Sequence, residues 1–175
     1  MRKNFLQGIA SEIGQIKNNR LSLEEYESSN CSDQMFRQIY EEYERRRKLL
    51  KKIDFDDMLV LCYELFQKRP DILQMWQKKF QYILIDEFQD INQVQYDVIR
   101  MLALPENNLF IVGDDDQSIY RFRGARPEIM LGFSKDYPNA KSIILDVNYR
   151  STKAVVSAAR RVIERNKNRL SEGDY

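Results

Sequence analysis

Three short stretches carry side chains suited to chemistry, and each follows an apolar run that ends abruptly. Tyr82-Ile83-Leu84-Ile85 leads into Asp86-Glu87-Phe88-Gln89-Asp90. Leu109-Phe110-Ile111-Val112 leads into Gly113-Asp114-Asp115-Asp116-Gln117-Ser118, and Ile143-Ile144-Leu145 into Asp146-Val147-Asn148-Tyr149-Arg150-Ser151. A carboxylate can anchor magnesium, which takes oxygen ligands and keeps several waters, and a neighbouring one can accept the proton of an attacking water. The adjacent acids alone do not say which does which. Gln117 is uncharged and both donates and accepts hydrogen bonds, so it can sense a phosphate without holding it firmly. Arg150 offers a planar fork that matches phosphate oxygens and offsets the charge that develops in phosphoryl transfer. Taken singly, each group has a plainer account: a strand exiting into solvent, a surface ion pair for Arg150, a packed ring for Tyr149.

The apolar runs decide between these accounts. Each is too short for a helix and too uniformly apolar for a strand with one wet face, so each reads as a strand buried on both faces. In an open parallel sheet, ligands bind at the carboxyl edge, where all three runs deliver their polar groups. From Gln81 onward strands alternate with helices, the pattern of a parallel sheet with helical crossovers. The first helix there runs from about Asn92 to Leu104 and buries Val94, Val98, Ile99, Met101 and Leu102. Pro127 starts another, with Ile129, Met130, Leu131 and Phe133 facing the sheet and Pro138 stopping it. After Ser151 as cap, a last amphipathic helix turns Val155, Val156, Ala159, Val162 and Ile163 inward.

Residues 1 to about 80 have a helical period and no convincing strand. Phe5, Leu6, Ile9, Ile13 and Ile16 mark a first helix closing near Asn18-Asn19. Ser22 and Glu25 have the spacing of a capping box for a short second helix. Asp33 is placed to cap a third, with the stripe Phe36, Ile39, Tyr40, Tyr43 and Leu50. Its outer side carries Arg45, Arg46, Arg47, Lys48, Lys51 and Lys52, a solvated face ahead of a DNA contact. Asp54 caps the next helix, whose buried side is Met58, Leu59, Leu61, Cys62, Leu65 and Phe66. Pro70 opens a fifth containing Leu73, Trp76 and Phe80.

The 175 residues can form one domain with a real core, or one domain with a helical lobe. With 28 basic and 27 acidic residues the formal charge is +1, so affinity for nucleic acid must come from local clusters. Cys31 and Cys62 have no CxxC partner and no histidine with which to share a metal, as expected of free thiols in a reducing cytoplasm. No apolar run is long enough to span a bilayer, and the start lacks the core of a signal peptide, so the expectation is a soluble, cytoplasmic protein.

The strand-end residues carry a family resemblance. Ile85-Asp86-Glu87-Phe88-Gln89-Asp90 resembles the Walker B box of the UvrD/Rep/PcrA group of superfamily 1 DNA helicases. Val112 to Ala125 resembles the group's third motif, and Leu145-Asp146-Val147-Asn148-Tyr149-Arg150-Ser151-Thr152 its fourth. Asp54-Phe55-Asp56-Asp57-Met58-Leu59 is similar to the segment leading from the helical insertion back to the motor core. The resemblance implies an α/β fold: part of a RecA-like P-loop NTPase parallel sheet, preceded by an all-helical insertion lobe. It implies a lobe over 1–80, the rest of the first motor domain over 81–140, and over 141–175 its last strand and the opening of the second.

As to roles, the resemblance implies that Asp86 anchors Mg2+ on ATP and that Glu87 is the base. Gln117 and Arg150 would contact the γ-phosphate, and Tyr149 would stack on adenine. Tyr120, Phe122 and Arg123 would bind single-stranded DNA, or a single-strand/duplex junction, by stacking and charge. Where the group commonly has tryptophan, this chain has Phe122, which leaves open kinship with the helicase subunits of recombination nucleases. The parent would be an ATP-dependent helicase moving 3′ to 5′, working with its remaining helicase domains. Two other classes stand beside it: a non-catalytic DNA- or protein-binding module, and a metal-dependent nuclease using Asp86, Glu87 and Asp90.

The chain contains no GxxxxGK[ST] loop to cradle phosphates. The expectation is that this polypeptide alone neither hydrolyses ATP nor unwinds DNA. Purified chain incubated with Mg2+, ATP and single-stranded DNA is expected to release no phosphate above background. Turnover that disappears on Glu87→Gln contradicts this.

Overall fold

The computed structural model describes residues 2–117 and 124–164. Four helices come first: α1 (Arg2–Asn19), α2 (Asp33–Leu49), α3 (Phe55–Lys68) and α4 (Pro70–Lys79). Strand β1 (Ile83–Ile85), α5 (Gln93–Ala103) and β2 (Leu109–Ile111) follow, then α6 (Pro127–Leu131), α7 (Phe133–Asp136) and α8 (Lys153–Ile163). Among the described residues the fold is mostly helical with one small parallel sheet, as expected of a partial α/β domain.

Local chemistry sets most helix starts. Asp54 accepts from the Asp57 N–H while Asp57 accepts from the Asp54 N–H, a reciprocal capping box that opens α3. Asn92 and Gln95 do the same for α5. Pro70 and Pro127 occupy first-turn positions of α4 and α6, where a missing N–H costs nothing. The cap of α2 is Ser32 and not Asp33, which lies in the first turn and accepts from the Ser28 N–H instead.

Two apolar clusters hold the chain. Ile9, Ile13 and Ile16 of α1 pack on Phe36 of α2, with Tyr26, Ile39, Tyr40 and Tyr43 around them. Phe88, Ile91, Tyr96 and Ile129 form the second, covering Ile85 and Ile111 on one face of the sheet. Helices α1, α3 and α4 all pack on α5.

A buried ion cluster joins α1, α2 and the start of α3. The Lys17 ammonium donates to Asp57 at 2.8 Å and Asp54 at 2.9 Å, and lies 3.1 Å from Glu44. Arg47 closes the cluster, 2.6 Å from Glu44 and 3.2 Å from Asp57, and the Tyr43 hydroxyl donates to Asp54. Burial alone would lower the Lys17 pKa, but hydrogen bonds to Asp57, Asp54 and Glu44 outweigh it and the pKa is raised. Burial would raise the Asp54 pKa, yet Tyr43, the Asp57 N–H and Lys17 hold it down at about 2.

Several sequence expectations fail, for identifiable reasons. Ser22 and Glu25 cap no second helix: residues 23–25 form a turn and the Ser22 hydroxyl donates to Glu24. Residues 143–145 form no strand, and Ile143 and Leu145 are 77% and 84% exposed. A three-residue strand gains little alone and needs a paired neighbour, which the described residues do not give it. Strands β1 and β2 are not buried on both faces, since Leu84 and Phe110 on the outer face are 71% and 55% exposed. No described element covers that face. On α3 only Phe66 of the expected stripe is fully buried, while Met58, Leu61 and Leu65 are exposed. Thr152, not Ser151, precedes α8, whose Val155, Val156, Ala159 and Val162 face solvent.

Removing one member of a buried ion cluster strands the others. Lys17→Met is expected to cost about 3–5 kcal/mol, read as a lower urea midpoint. The Asp54 carboxyl is depressed, so its stabilisation is present above the ordinary Asp value of about 3.9 and is lost as pH falls towards 2. The wild-type midpoint should therefore fall between pH 4 and 2 more steeply than that of Asp54→Asn.

Candidate functional site

The parallel register sets Ile83 against Leu109, Leu84 against Phe110 and Ile85 against Ile111, so both strands end together. Pairing then continues past the strands: the Val112 N–H donates to the Ile85 carbonyl at 2.8 Å, and the Phe88 N–H donates to the Val112 carbonyl at 2.9 Å. Asp86-Glu87 and Gly113-Asp114 are thereby side by side at the carboxyl edge.

Phe88 fixes the turn. Its ring is wholly buried, edge-on to Tyr96 at 6.0 Å and to Phe133 at 5.6 Å. To drive that ring into the core directly after the strand, the chain takes a left-handed conformation at Glu87 (φ 53°, ψ 42°) and one 3-10 turn over Phe88–Asp90. The Asp86 carboxylate accepts from the Glu87 N–H at 2.9 Å, which supports the turn. Asp86 and Glu87 remain exposed.

Across the edge, Asp115–Gln117 form a second 3-10 turn. Gln117 donates from its backbone N–H to the Asp114 carbonyl at 3.1 Å and from Nε2 to the Asp114 carboxylate at 2.8 Å. The two turns are joined by Gln89, which is 1% exposed: Nε2 donates to Glu87 Oε2 at 2.7 Å and Oε1 accepts from the Asp114 N–H at 3.0 Å. A Cβ on Gly113 would lie 2.8 Å from Gln89 Oε1 and 3.1 Å from Met130 Sδ, so only glycine lets the strands and the glutamine approach this closely.

The C-terminal end of α1 abuts the same region. Asn92 donates to Asn18 at 3.1 Å in a buried contact, and Asn18 donates to Asp56 at 2.9 Å. Arg20 pairs with Asp97 at 2.6 Å and lies over the Tyr63 ring. Gly124, with φ +75°, returns the chain against Asn19.

Of the residues the sequence singles out, Asp86, Glu87 and Gln117 share one edge. Tyr149 and Arg150 are not brought there. Tyr149 is 92% exposed, and the Arg150 and Ser151 N–H groups donate to Asn148. Among the described residues no hydrogen bond or ion pair links residues 141–164 to the edge, because the strand that would carry them is not formed. Tyr120, Phe122 and Arg123 lie outside the described residues. An exposed carboxylate such as Asp86 fits a hard cation that keeps most of its waters. Among the described residues no group of three or more His, Cys, Asp or Glu side chains is placed to hold a metal ion. In the basic run, Arg45 and Arg46 are exposed and paired with Glu42, which fits the solvated-face account, whereas Arg47 departs from it and turns inward to Glu44 and Asp57.

Residues 2–138 match the UvrD/REP helicase N-terminal domain. The chain belongs to that family. The UvrD/REP-type chain is 52% identical to YjcD of Bacillus subtilis (strain 168) over 161 residues, covering 92% of this chain and 21% of YjcD. It is 42% identical over 165 residues to the ATP-dependent DNA helicase PcrA of the same organism, covering 93% of this chain and 22% of PcrA. With the PcrA of Staphylococcus aureus (strain Mu50) it shares 42% over 166 residues, covering 92% and 23%. The chain thus spans about a fifth of the length of the curated relatives it matches.

Gln89 was missed in the sequence. Its signal is a polar residue one step beyond a core phenylalanine, which points to nothing until the burial is known. Gly113→Ala is expected to destabilise the domain by about 1–3 kcal/mol through overpacking, seen as a lower melting temperature; an unchanged melt contradicts the close approach.

Proposed function

We propose that the chain is an internal segment of an ATP-dependent 3′ to 5′ DNA helicase, spanning the Walker B box and the third and fourth motifs of a superfamily 1 motor. On this reading residues 1–80 are a helical insertion lobe. Residues 81–140 are the later part of a RecA-like domain, and 141–175 its last strand and the opening of the second motor domain. The observation that carries the reading is the in-register pairing that sets Asp86 and Glu87 beside the Asp114–Gln117 turn. The family match and the relatives named ATP-dependent DNA helicases support it.

Each residue then has a task. Asp86 holds Mg2+ on ATP, directly or through water, and the ion when bound would offset charge on the phosphate oxygens. Glu87, exposed on the strand's end, takes the proton of the attacking water. Gln117, on a turn of its own, reports the γ-phosphate. Arg150 reaches the phosphate and Tyr149 the adenine once the 141–151 segment is brought to the edge by further chain. Tyr120, Phe122 and Arg123 stack on bases and neutralise the strand between Gln117 and Gly124, where Gly124 returns against α1. The phosphate-cradling loop belongs to the rest of the parent, so the isolated chain is inactive.

In the full-length gene product, Glu87→Gln is expected to lower DNA-stimulated ATP turnover at least 100-fold, in line with the roughly 10²–10⁴ that general-base catalysis supplies. Labelled single-stranded DNA should bind in a salt-sensitive manner, weakened about 5- to 150-fold by Tyr120→Ala or Phe122→Ala, the equivalent of about 1–3 kcal/mol of stacking. Turnover indifferent to Glu87, or DNA curves identical for all three proteins, contradicts the reading.

A further inference from the structure

We propose that Gln89 is a positioning residue for hydrolysis, whose side-chain amide locks the Glu87 carboxylate to the loop that carries Gln117, so that base and phosphate sensor are held in one fixed relation. This rests on Glu87 acting as the base.

The geometry is a continuous relay. Glu87 Oε2 accepts from Gln89 Nε2 at 2.7 Å, Gln89 Oε1 accepts from the Asp114 N–H at 3.0 Å, and the Asp114 carboxylate accepts from Gln117 Nε2 at 2.8 Å. Gln89 is the buried link between two exposed ends. Burying an amide is unfavourable unless it is bonded, and here both its oxygen and its nitrogen are. An uncharged amide meets the requirement because it donates to a carboxylate and accepts from a peptide N–H at once. Glutamate in its place would set a second carboxylate against Glu87, and methionine, of similar length, would offer neither group. Both ends are also pinned from behind, by the Phe88 ring in the core and by the missing Cβ of Gly113.

Glu87 is left with one oxygen engaged and the other, Oε1, without a hydrogen bond among the described residues. The Gln89 contact therefore orients the carboxylate without occupying the oxygen that would take the proton. Because the same amide grips the Asp114 N–H, a displacement of the Gln117 turn is transmitted to Glu87. A residue acting in this way affects the chemical step and not the affinity for ATP.

The test is steady-state ATP turnover by the full-length gene product, with and without single-stranded DNA, for wild type, Gln89→Met, Gln89→Glu, Glu87→Gln and the Glu87→Gln/Gln89→Met double variant. Both Gln89 variants are expected to lower kcat about 10- to 100-fold, the scale of an ångström-sized misplacement, with KM for ATP within about twofold of wild type. In the Glu87→Gln background, Gln89→Met is expected to cost nothing further, since it acts through the group already removed. A wild-type kcat in either variant, a KM rising in step with a falling melting temperature, or a full additional loss in the double variant overturns the proposal. Wild-type protein whose turnover survives Glu87→Gln intact overturns instead the assignment of Glu87 on which it rests.

Discussion

The site depends on the parallel pairing of two three-residue strands. The pairing is short, and its consequence lies just beyond it, where the Val112 and Phe88 amides carry the ladder into both loops. Without those bonds the Asp86-Glu87 and Gly113-Asp114 segments would be joined through the Gln89 side chain and not through the backbone. With them, the position of one carboxylate pair is tied to the position of a glutamine some thirty residues away in the chain. Phe88 supplies the hydrophobic stabilisation that keeps the first loop folded under, burying its whole ring, which is on the order of 2–3 kcal/mol. Gly113 supplies the space.

The helical half meets a different constraint. Lys17 brings a charge into the junction of α1, α2 and α3, and Asp54, Asp57, Glu44 and Arg47 gather around it. Burying such a cluster is not in itself stabilising compared with hydrocarbon, but it is unforgiving of rearrangement, and so it specifies one packing of the three helices. The same acids cap α3, so helix start and helix packing are fixed together. From that unit, Asn18 and Arg20 reach α5 directly after the Asp86–Asp90 segment. The N-terminal helices and the sheet edge are thus connected through side chains that each have a defined partner.

Local signals were legible in the sequence and long-range ones were not. Asp54, Asn92, Pro70 and Pro127 mark helix starts because capping is a matter of the next three residues. The order of the strand ends was equally plain and led to the family. The strand expected at 143–145 failed because hydrophobicity states a wish for burial without saying what provides it. The same holds for Met58, Leu61 and Leu65 on α3, for the outer faces of Leu84 and Phe110, and for α8, whose apolar stripe meets no described partner. Ser22 and Glu25 had the spacing of a capping box but no apolar stripe to follow, and the turn there found another hydrogen bond. Gln89 could not be read at all, since its importance comes from being the polar group inside.

The central claim is that one edge, held by backbone pairing, gathers the chemistry-bearing loops. Amide hydrogen exchange followed by NMR on the 175-residue chain tests it most directly. The account predicts that the Phe88, Val112 and Asp114 amides are protected together, each having a carbonyl or the Gln89 oxygen as acceptor, while those of Ile143, Ile144 and Leu145 exchange as in an open chain. Exchange of Phe88, Val112 and Asp114 at unprotected rates would contradict it.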